Sequence, residues 1–397
     1  MVRALDDIRV LDLTHVYNGP YATLLLGFLG AEIIKVEPPQ KGEMARIIYK
    51  VPHSHESYPF IMLNSNKKGI TLNLKTLRGK ELLKELAAQS DVVVENFAVG
   101  VMDKLGLGYN ELKRLNAGLI YATGSGFGLS GPYSTYPAFD PIIQAMTGLM
   151  SSTGFPDNPP VKAGPPVFDI LAGTHLCAGI LAALHQRDRT GEGTLVETNL
   201  FEASLGPLVT QMSGYLSRGI LGRFGNTAPG RAFAPYNCYT TTDGYVLLLV
   251  ADDGKWHALC QIMEREELIE DPRYATNGAR AKRFDEMDAI VGAWVAQRSK
   301  QEVMDKLTGA DITCGIVKEI PEVLADPHLR ERGTLQDITH PTVGKVTVLA
   351  SPVRLNGEEP TIDSPSPTLG QHNELVYGRL LGLSAREIAS LKEQGVI

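Results

Sequence analysis

An α/β fold with a parallel, doubly wound sheet and a second, smaller α+β unit is predicted from three observations. Short β-branched runs alternate with helical patterns through the first hundred residues, the mark of βαβ units. At 397 residues the chain is longer than one simple core organises. Around Gly225 the composition shifts to GNTAPGRAFAPYNCYTTTDG, rich in Gly, Pro, Asn and Thr, which reads as a passage into a new unit.

The elements follow in order. Ile8 to Leu13 (IRVLDL) reads as a buried strand. Pro20 then stands at a plausible first helical position, and YATLLLGFL runs to Gly30. Pro at the start and Gly at the end is the helix asymmetry. Glu32 to Val36 (EIIKV), Gly69 to Leu74, Asp91 to Glu95 (DVVVE) and Leu119 to Thr123 (LIYAT) are further strands, with the helix LRGKELLKELAAQS between two of them. A helix rich in small residues is predicted from about Ile170 to Gln186. Beyond Gly225, TTTDGYVLLLV is hairpin-like, and helices are predicted around Trp256 to Met263, Glu286 to Val295 and Lys300 to Leu307. KVTVLA reads as a late strand and Ser384 to Gln394 as a terminal helix.

Composition narrows the function classes. The 38 basic and 45 acidic residues give 38 − 45 = −7, which argues against nucleic acid or an anionic membrane as the main partner. Cys177, Cys238, Cys260 and Cys314 form no CxxC pair, so neither a zinc knuckle nor a disulfide framework is expected. The opening MVRALDDIRVLDL has no apolar signal-like core, and no uninterrupted apolar run approaches the ~18 residues of a membrane span. The expected setting is the reducing cytoplasm.

Most local motifs lead nowhere. Gly124, Gly126, Gly128 and Gly131 follow a strand, but GPYSTYPAFDP comes next and cannot open the helix that a dinucleotide site requires. His53 and His55 lack neighbouring acidic or Cys partners for a metal, and none is expected. His175 and His185 lie ten apart on one helix and read as structural. Asp169 stands out, because it directly precedes the helix ILAGTHLCAGILAAL at an expected N-cap. Such a cap is an ordinary structural role. The same free N–H groups and helix dipole would also keep a nucleophilic carboxylate ionised.

Several stretches together resemble one family, the class III CoA-transferases of the formyl-CoA:oxalate type, within the α-methylacyl-CoA racemase superfamily. IRVLDLTHVYNGPYATLLLGFLGAEIIKVEPPQKGEMAR is similar to the family's N-terminal signature. NKKGITLNLKT, DVVVENFAVGVMDKLGLGY, LIYATGSGFGLSGPY, AFDPIIQAMTGLMSSTG, VFDILAGTHLCAGILAAL and ADPHLRERG resemble its later blocks, in order along the chain.

The resemblance implies a large Rossmann-like CoA-binding domain from residues 1–200 and 330–397, its parallel sheet formed by both chain ends. A linker at 201–225 and a small domain at 226–329 follow, and two such chains interlock as ring-shaped protomers of a homodimer. It implies transfer of CoA between carboxylic acids through an aspartyl-CoA thioester on Asp169, with acyl-CoA and a small acid as the partners and no tightly bound cofactor. The implied CoA contacts are Val16, Tyr17, Asn18, Leu72, Lys75, Asn96, Phe97, Ala98 and Lys104. His15, Tyr17, Arg46, His53 and His55 are expected near the acyl pocket, favouring a small dicarboxylate such as oxalate, succinate, malate or a mesaconate-like acid. Pro38 stands where the family's type member has a basic residue, Tyr17 where it has an amide, and Ala251 to Lys255 where it has a glycine flap. Three alternatives stay open: CoA transfer within one dicarboxylyl-CoA, a non-catalytic CoA binder, and a racemase. The last needs a histidine where Phe139 stands.

Overall fold

The computed structural model describes residues 3–397. The chain forms two compact units, Met1–Thr147, Gly164–Gly206 and Leu324–Ile397 in the first, Gly148–Ala163 and Pro207–Val323 in the second.

In the first unit, β1 (Arg9–Asp12) leads into α1 (Asn18–Phe28) and β2 (Glu32–Glu37). Next come β3 (Lys67–Thr71), α2 (Leu77–Ala88), β4 (Val92–Glu95) and β5 (Ile120–Ser125). Then follow α3 (Asp140–Met146), α4 (Val167–Thr190) and β6 (Leu195–Asn199). The six strands are parallel in the order β3-β2-β1-β4-β5-β6. Alternate residues of each strand face opposite layers. Leu11, Ile34 and Val93 pack with Leu82, Leu83 and Leu86 of α2, while Val10, Ile33, Val92 and Val94 pack with α1 and α4. Burial on both faces explains why the strand centres put apolar residues side by side rather than alternating them with polar ones. Each fully buried Leu or Val contributes about 1.5–3 kcal/mol.

Two expectations need correction here. All six strands come from residues 9–199, so both chain ends do not form the sheet. The C-terminus instead supplies helices Asn373–Leu381 and Ala385–Glu393, whose Val376, Tyr377, Ile388 and Leu391 close the α2 face. Also, Asp169 is not the cap of α4. The helix begins at Val167 with Pro166 before it, so Asp169 is its third residue. The proline ring suits the boundary, having no N–H to satisfy. α4 is long and apolar enough to cross a membrane by length and composition. Here it buries Phe168, Ala172, Gly173, Leu176, Cys177, Ile180, Ala183 and Leu184.

β6 escaped the sequence reading because LVETN is half polar and half exposed. The strand expected at 69–74 begins two residues earlier and ends three earlier, since Leu72 N–H still bonds Glu37 but Asn73 turns to Val396. A hairpin of Leu335–His340 with Gly344–Leu349 sets Val346 and Val348 against Val51 and Ile61.

The second unit is built on antiparallel strands Tyr236–Thr240, Tyr245–Leu249 and Thr313–Ile316. Trp256, Met287, Val291, Val295 and Val303 form its buried centre, on helices near the predicted ones. The stretch 201–225 is more than a linker, because it holds helix Val209–Arg218, which buries none of its residues.

Candidate active site

The carboxyl ends of the six parallel strands form one edge of the first unit. The strand order turns back between β1 and β4, and ligands of doubly wound sheets settle at such a switch point. A cavity of about 840 Å³ opens there. It is lined from the turns after β1 (His15, Val16, Tyr17, Asn18), β2 (Gly42, Glu43, Met44) and β4 (Asn96, Phe97, Ala98, Val99), and from the end of β5 and the residue after it (Gly124, Ser125, Gly126). Lys104, Ser134 to Phe139, Asp169 and Leu200 complete the wall.

Reciprocal hydrogen bonds hold the switch point together. His15 N–H donates to Asn96 Oδ1 at 2.8 Å, and Asn96 Nδ2 donates to the His15 carbonyl at 2.9 Å. Val16 follows at φ +66°, a strained conformation for a β-branched residue. Its N–H donates to Glu43 Oε2 at 3.1 Å, which also accepts from Ala45 N–H at 2.7 Å and lies 3.8 Å from His15 Nδ1. Burial alone raises a carboxyl, but the His15 bond, Lys35 and these N–H groups hold Glu43 below the usual carboxylate range. Beneath it, Asp12 is fully buried with Lys35 at 3.4 Å and Lys67 at 3.0 Å. Burial first, and the like charge of Lys35, bring Lys67 down to about 8 against the opposing pull of Asp12. His15 meets Phe97 edge-on, with centroids 4.9 Å apart.

Asp169 enters from α4. A Cβ on Gly173 would stand 2.5 Å from the Asn18 carbonyl, so glycine lets α1 and α4 touch backbone to backbone. Asn18 Nδ2 donates to the Asp169 carbonyl at 3.3 Å. The first N–H groups of α4 are taken by Asp140 from α3. Its Oδ2 accepts from Phe168 at 2.7 Å and Asp169 at 3.2 Å, while Gln144 Nε2 donates to its Oδ1. Burial first, and the Asp140 charge second, push the Asp169 carboxyl up to about 7. That corrects the expectation of a carboxylate steadied by free helix N–H groups, since Asp140 already occupies them. Burial, then Tyr49 and Asp169, raise the Tyr17 phenol.

The cavity therefore gathers His15, Val16, Tyr17, Asn18, Asn96, Phe97, Ala98, Lys104 and Asp169. Leu72 and Lys75 do not line it. Leu72 is a core residue, and Lys75 is exposed just beyond β3, on the same sheet edge. His53 and His55 are exposed on a loop away from the lining. Arg46 is 4% exposed and fully committed. It bonds Glu37 at 2.7 and 2.8 Å, Glu56 at 2.8 Å and the Pro367 carbonyl at 2.9 Å, with its guanidinium 3.6 Å from the Phe60 ring centroid. A substrate contact by Arg46 is thereby overturned, because every edge of the fork is taken.

Sequence reasoning missed Glu43, Asp140 and the aromatic wall. Tyr136 and Phe139 line the cavity, and Tyr136 meets Phe127 edge-on at 6.1 Å and Tyr133 at a tilt at 5.2 Å. Phe139 puts a ring with no exchangeable proton in this wall. Among the described residues no group of three or more His, Cys, Asp or Glu is placed to hold a metal.

Residues 5–373 match the family model described as CoA-transferase family III. A formyl-CoA:oxalate CoA-transferase of Streptomyces coelicolor is 38% identical, covering 100% of this chain and 99% of its own. A succinyl-CoA–D-citramalate CoA-transferase of Chloroflexus aurantiacus is 37% identical over 100% of this chain and 98% of its own. Among solved structures, a CAIB/BAIF family protein from Brucella suis superposes with TM-score 0.86 at 34% identity, covering 96% of this chain and 100% of that one.

Proposed function

This chain belongs to CoA-transferase family III, and from that premise we propose that it moves CoA between small carboxylic acids through covalent intermediates on Asp169. The observation that carries this reading is a partly buried carboxylate facing a cavity built at the switch point of the sheet. The Asp169 oxygen attacks the acyl carbonyl of the donor. Its C–S bond breaks, and a mixed anhydride and CoA thiolate result. The thiolate attacks the aspartyl carbonyl, the donor acid leaves as carboxylate, and an aspartyl-CoA thioester remains. The acceptor carboxylate then displaces the thiolate, which attacks the acceptor carbonyl and frees Asp169. Each bond broken is matched by one formed, and no proton need move.

Lys104 in the lining, with Lys75 on the same edge, supports binding of the CoA phosphates. Both side chains are exposed, free to meet phosphate as point charges. The substrate proposal is a small dicarboxylate. Relatives named for oxalate and for citramalate support it, and His15 is the imidazole that lines the cavity. Transfer is proposed between separate acids, in a cytoplasmic enzyme.

The test is intact-protein mass after mixing with a panel of acyl-CoAs, with hydroxylamine or borohydride trapping on Asp169. Attack needs the ionised carboxylate. With the carboxyl at about 7, adduct formation is expected to rise roughly tenfold per pH unit below 7 and to level above it. Absence of an adduct with every donor, together with exchange of the acyl α-hydrogen, would replace this reading with the racemase one.

An interlocked homodimer is also proposed. Helix Val209–Arg218 leaves Val209, Met212, Tyr215 and Leu216 exposed at 59%, 40%, 55% and 82%, an apolar face of the kind that a second copy covers. Light scattering is expected to give twice the 43.1 kDa chain mass, and a stable monomer at working concentration excludes it.

A further inference from the structure

We propose that Asp140 is a positioning residue for Asp169: it closes the N-terminus of α4 with its own carboxylate and thereby holds the neighbouring carboxylate in a high-energy, strongly nucleophilic state. The inference rests on the reading that Asp169 is acylated, and it adds a second acid to that chemistry.

The geometry supports both halves of the role. Asp140 is 3% exposed and is the first residue of α3, far from Asp169 in sequence. Its Oδ2 accepts two of the first N–H groups of α4, those of Phe168 and of Asp169 itself. Gln144, one turn along α3, donates to Oδ1, so both oxygens are fixed. The Asp169 backbone is thus gripped from two sides, by Asp140 at its N–H and by Asn18 at its carbonyl. That fixes where the nucleophilic side chain leaves the helix.

The electrostatic half follows from the same contacts. A helix start offers an anion about half a positive charge and a set of free N–H groups. A buried carboxylate already seated there consumes the N–H groups and more than cancels the partial charge. Asp169 is left with burial and a like charge, which agrees with its carboxyl standing near 7. Acylation removes the Asp169 charge, so the repulsion present in the free enzyme is absent from the anhydride and the thioester. Interactions that are worse in the ground state than along the reaction lower the barrier between them.

Other groups do not supply this effect. The elements packed on α4 carry Glu197 on β6 and Glu202 just after it, and Tyr17 precedes α1. Tyr17 is neutral when protonated. Of these acids, Asp140 is the one whose charge acts on Asp169. His15, Glu43 and Lys104 line the same cavity from the turns beyond β1, β2 and β4.

The experiment is the pH dependence of single-turnover adduct formation in the wild type and in Asp140→Asn, which can still accept the two N–H bonds but carries no charge. The midpoint is expected to fall by about one pH unit or more in the variant. An unchanged midpoint, with or without a lower rate, leaves Asp140 as a helix cap alone and overturns the proposal. A second measurement needs no folded variant of Asp140. The carboxyl carbon of Asp169, identified in 13C-aspartate protein by its loss in Asp169→Asn, is expected to titrate near neutrality in the wild type. Titration in the ordinary carboxylate range overturns the proposal independently. If no adduct forms at any pH, the acylation reading fails, while the same carbon titration repeated in Asp140→Asn still decides whether the pair is coupled, an unmoved midpoint overturning the proposal.

Discussion

Asp169→Ala is expected to lower turnover by about three orders of magnitude or more, as removal of other covalent nucleophiles does, and to abolish the trapped adduct. Asn18, Asn96, Phe97 and Lys104 remain in place, so acyl-CoA affinity should change little. Asp169→Glu keeps the carboxylate but moves it by about one methylene, and a displacement of ~1 Å can cost about a hundredfold. The Ala variant should also melt slightly higher than the wild type, because it relieves the Asp140 repulsion. Steady-state exchange between a radiolabelled acid and its acyl-CoA, with calorimetric binding beside it, measures all but the last effect. Turnover within tenfold of the wild type would sink the covalent route.

The second large effect is on stability. Arg46→Ala leaves Glu37 and Glu56, respectively 1% and 4% exposed, without their shared cation. Breaking a buried pair in this way costs about 3–5 kcal/mol, because an uncompensated charge stays inside. For a unit of this size that corresponds to a fall in Tm of roughly 10 °C or more. Calorimetry or thermal circular dichroism reads it directly. If Arg46 instead bound substrate, the melt would be unchanged and the KM for the acceptor acid would rise.

These two residues also illustrate what was legible in the sequence. The strands β1, β2, β4 and β5 announced themselves because both faces are buried around short β-branched centres, Val10–Leu11, Ile33–Ile34, Val92–Val94 and Ile120–Tyr121. β6 did not, since LVETN alternates without a strong apolar face. Asp169 was found at the start of its helix, yet its surroundings were not, because Asp140 lies on another element and only the tertiary fold brings the two together. Arg46, His53 and His55 follow a strand whose turn reaches the cavity, which made them plausible substrate contacts. The signal against Arg46 was present in Glu37, Glu43 and Glu56, which flank it closely in the chain. Composition alone cannot tell whether such an arginine turns toward solvent, ligand or its own neighbours. The His15–Asn96 stitch is equally invisible, since it depends on β1 and β4 lying side by side.

The way the sheet is closed imposes a calendar on biosynthesis. Strands β1, β2, β4 and β5 all precede α4, so the surface that receives this apolar helix has been made by the time it leaves the ribosome. The opposite face waits far longer. Val376, Tyr377, Ile388, Leu391 and Ile397 come far after every strand of the sheet in the chain, and Tyr377 ties the closing helix back to the Thr71 carbonyl. Until those helices emerge the nascent chain carries one covered face and one partly open, the kind of species that aggregates or engages chaperones. Every copy must wait for these two helices.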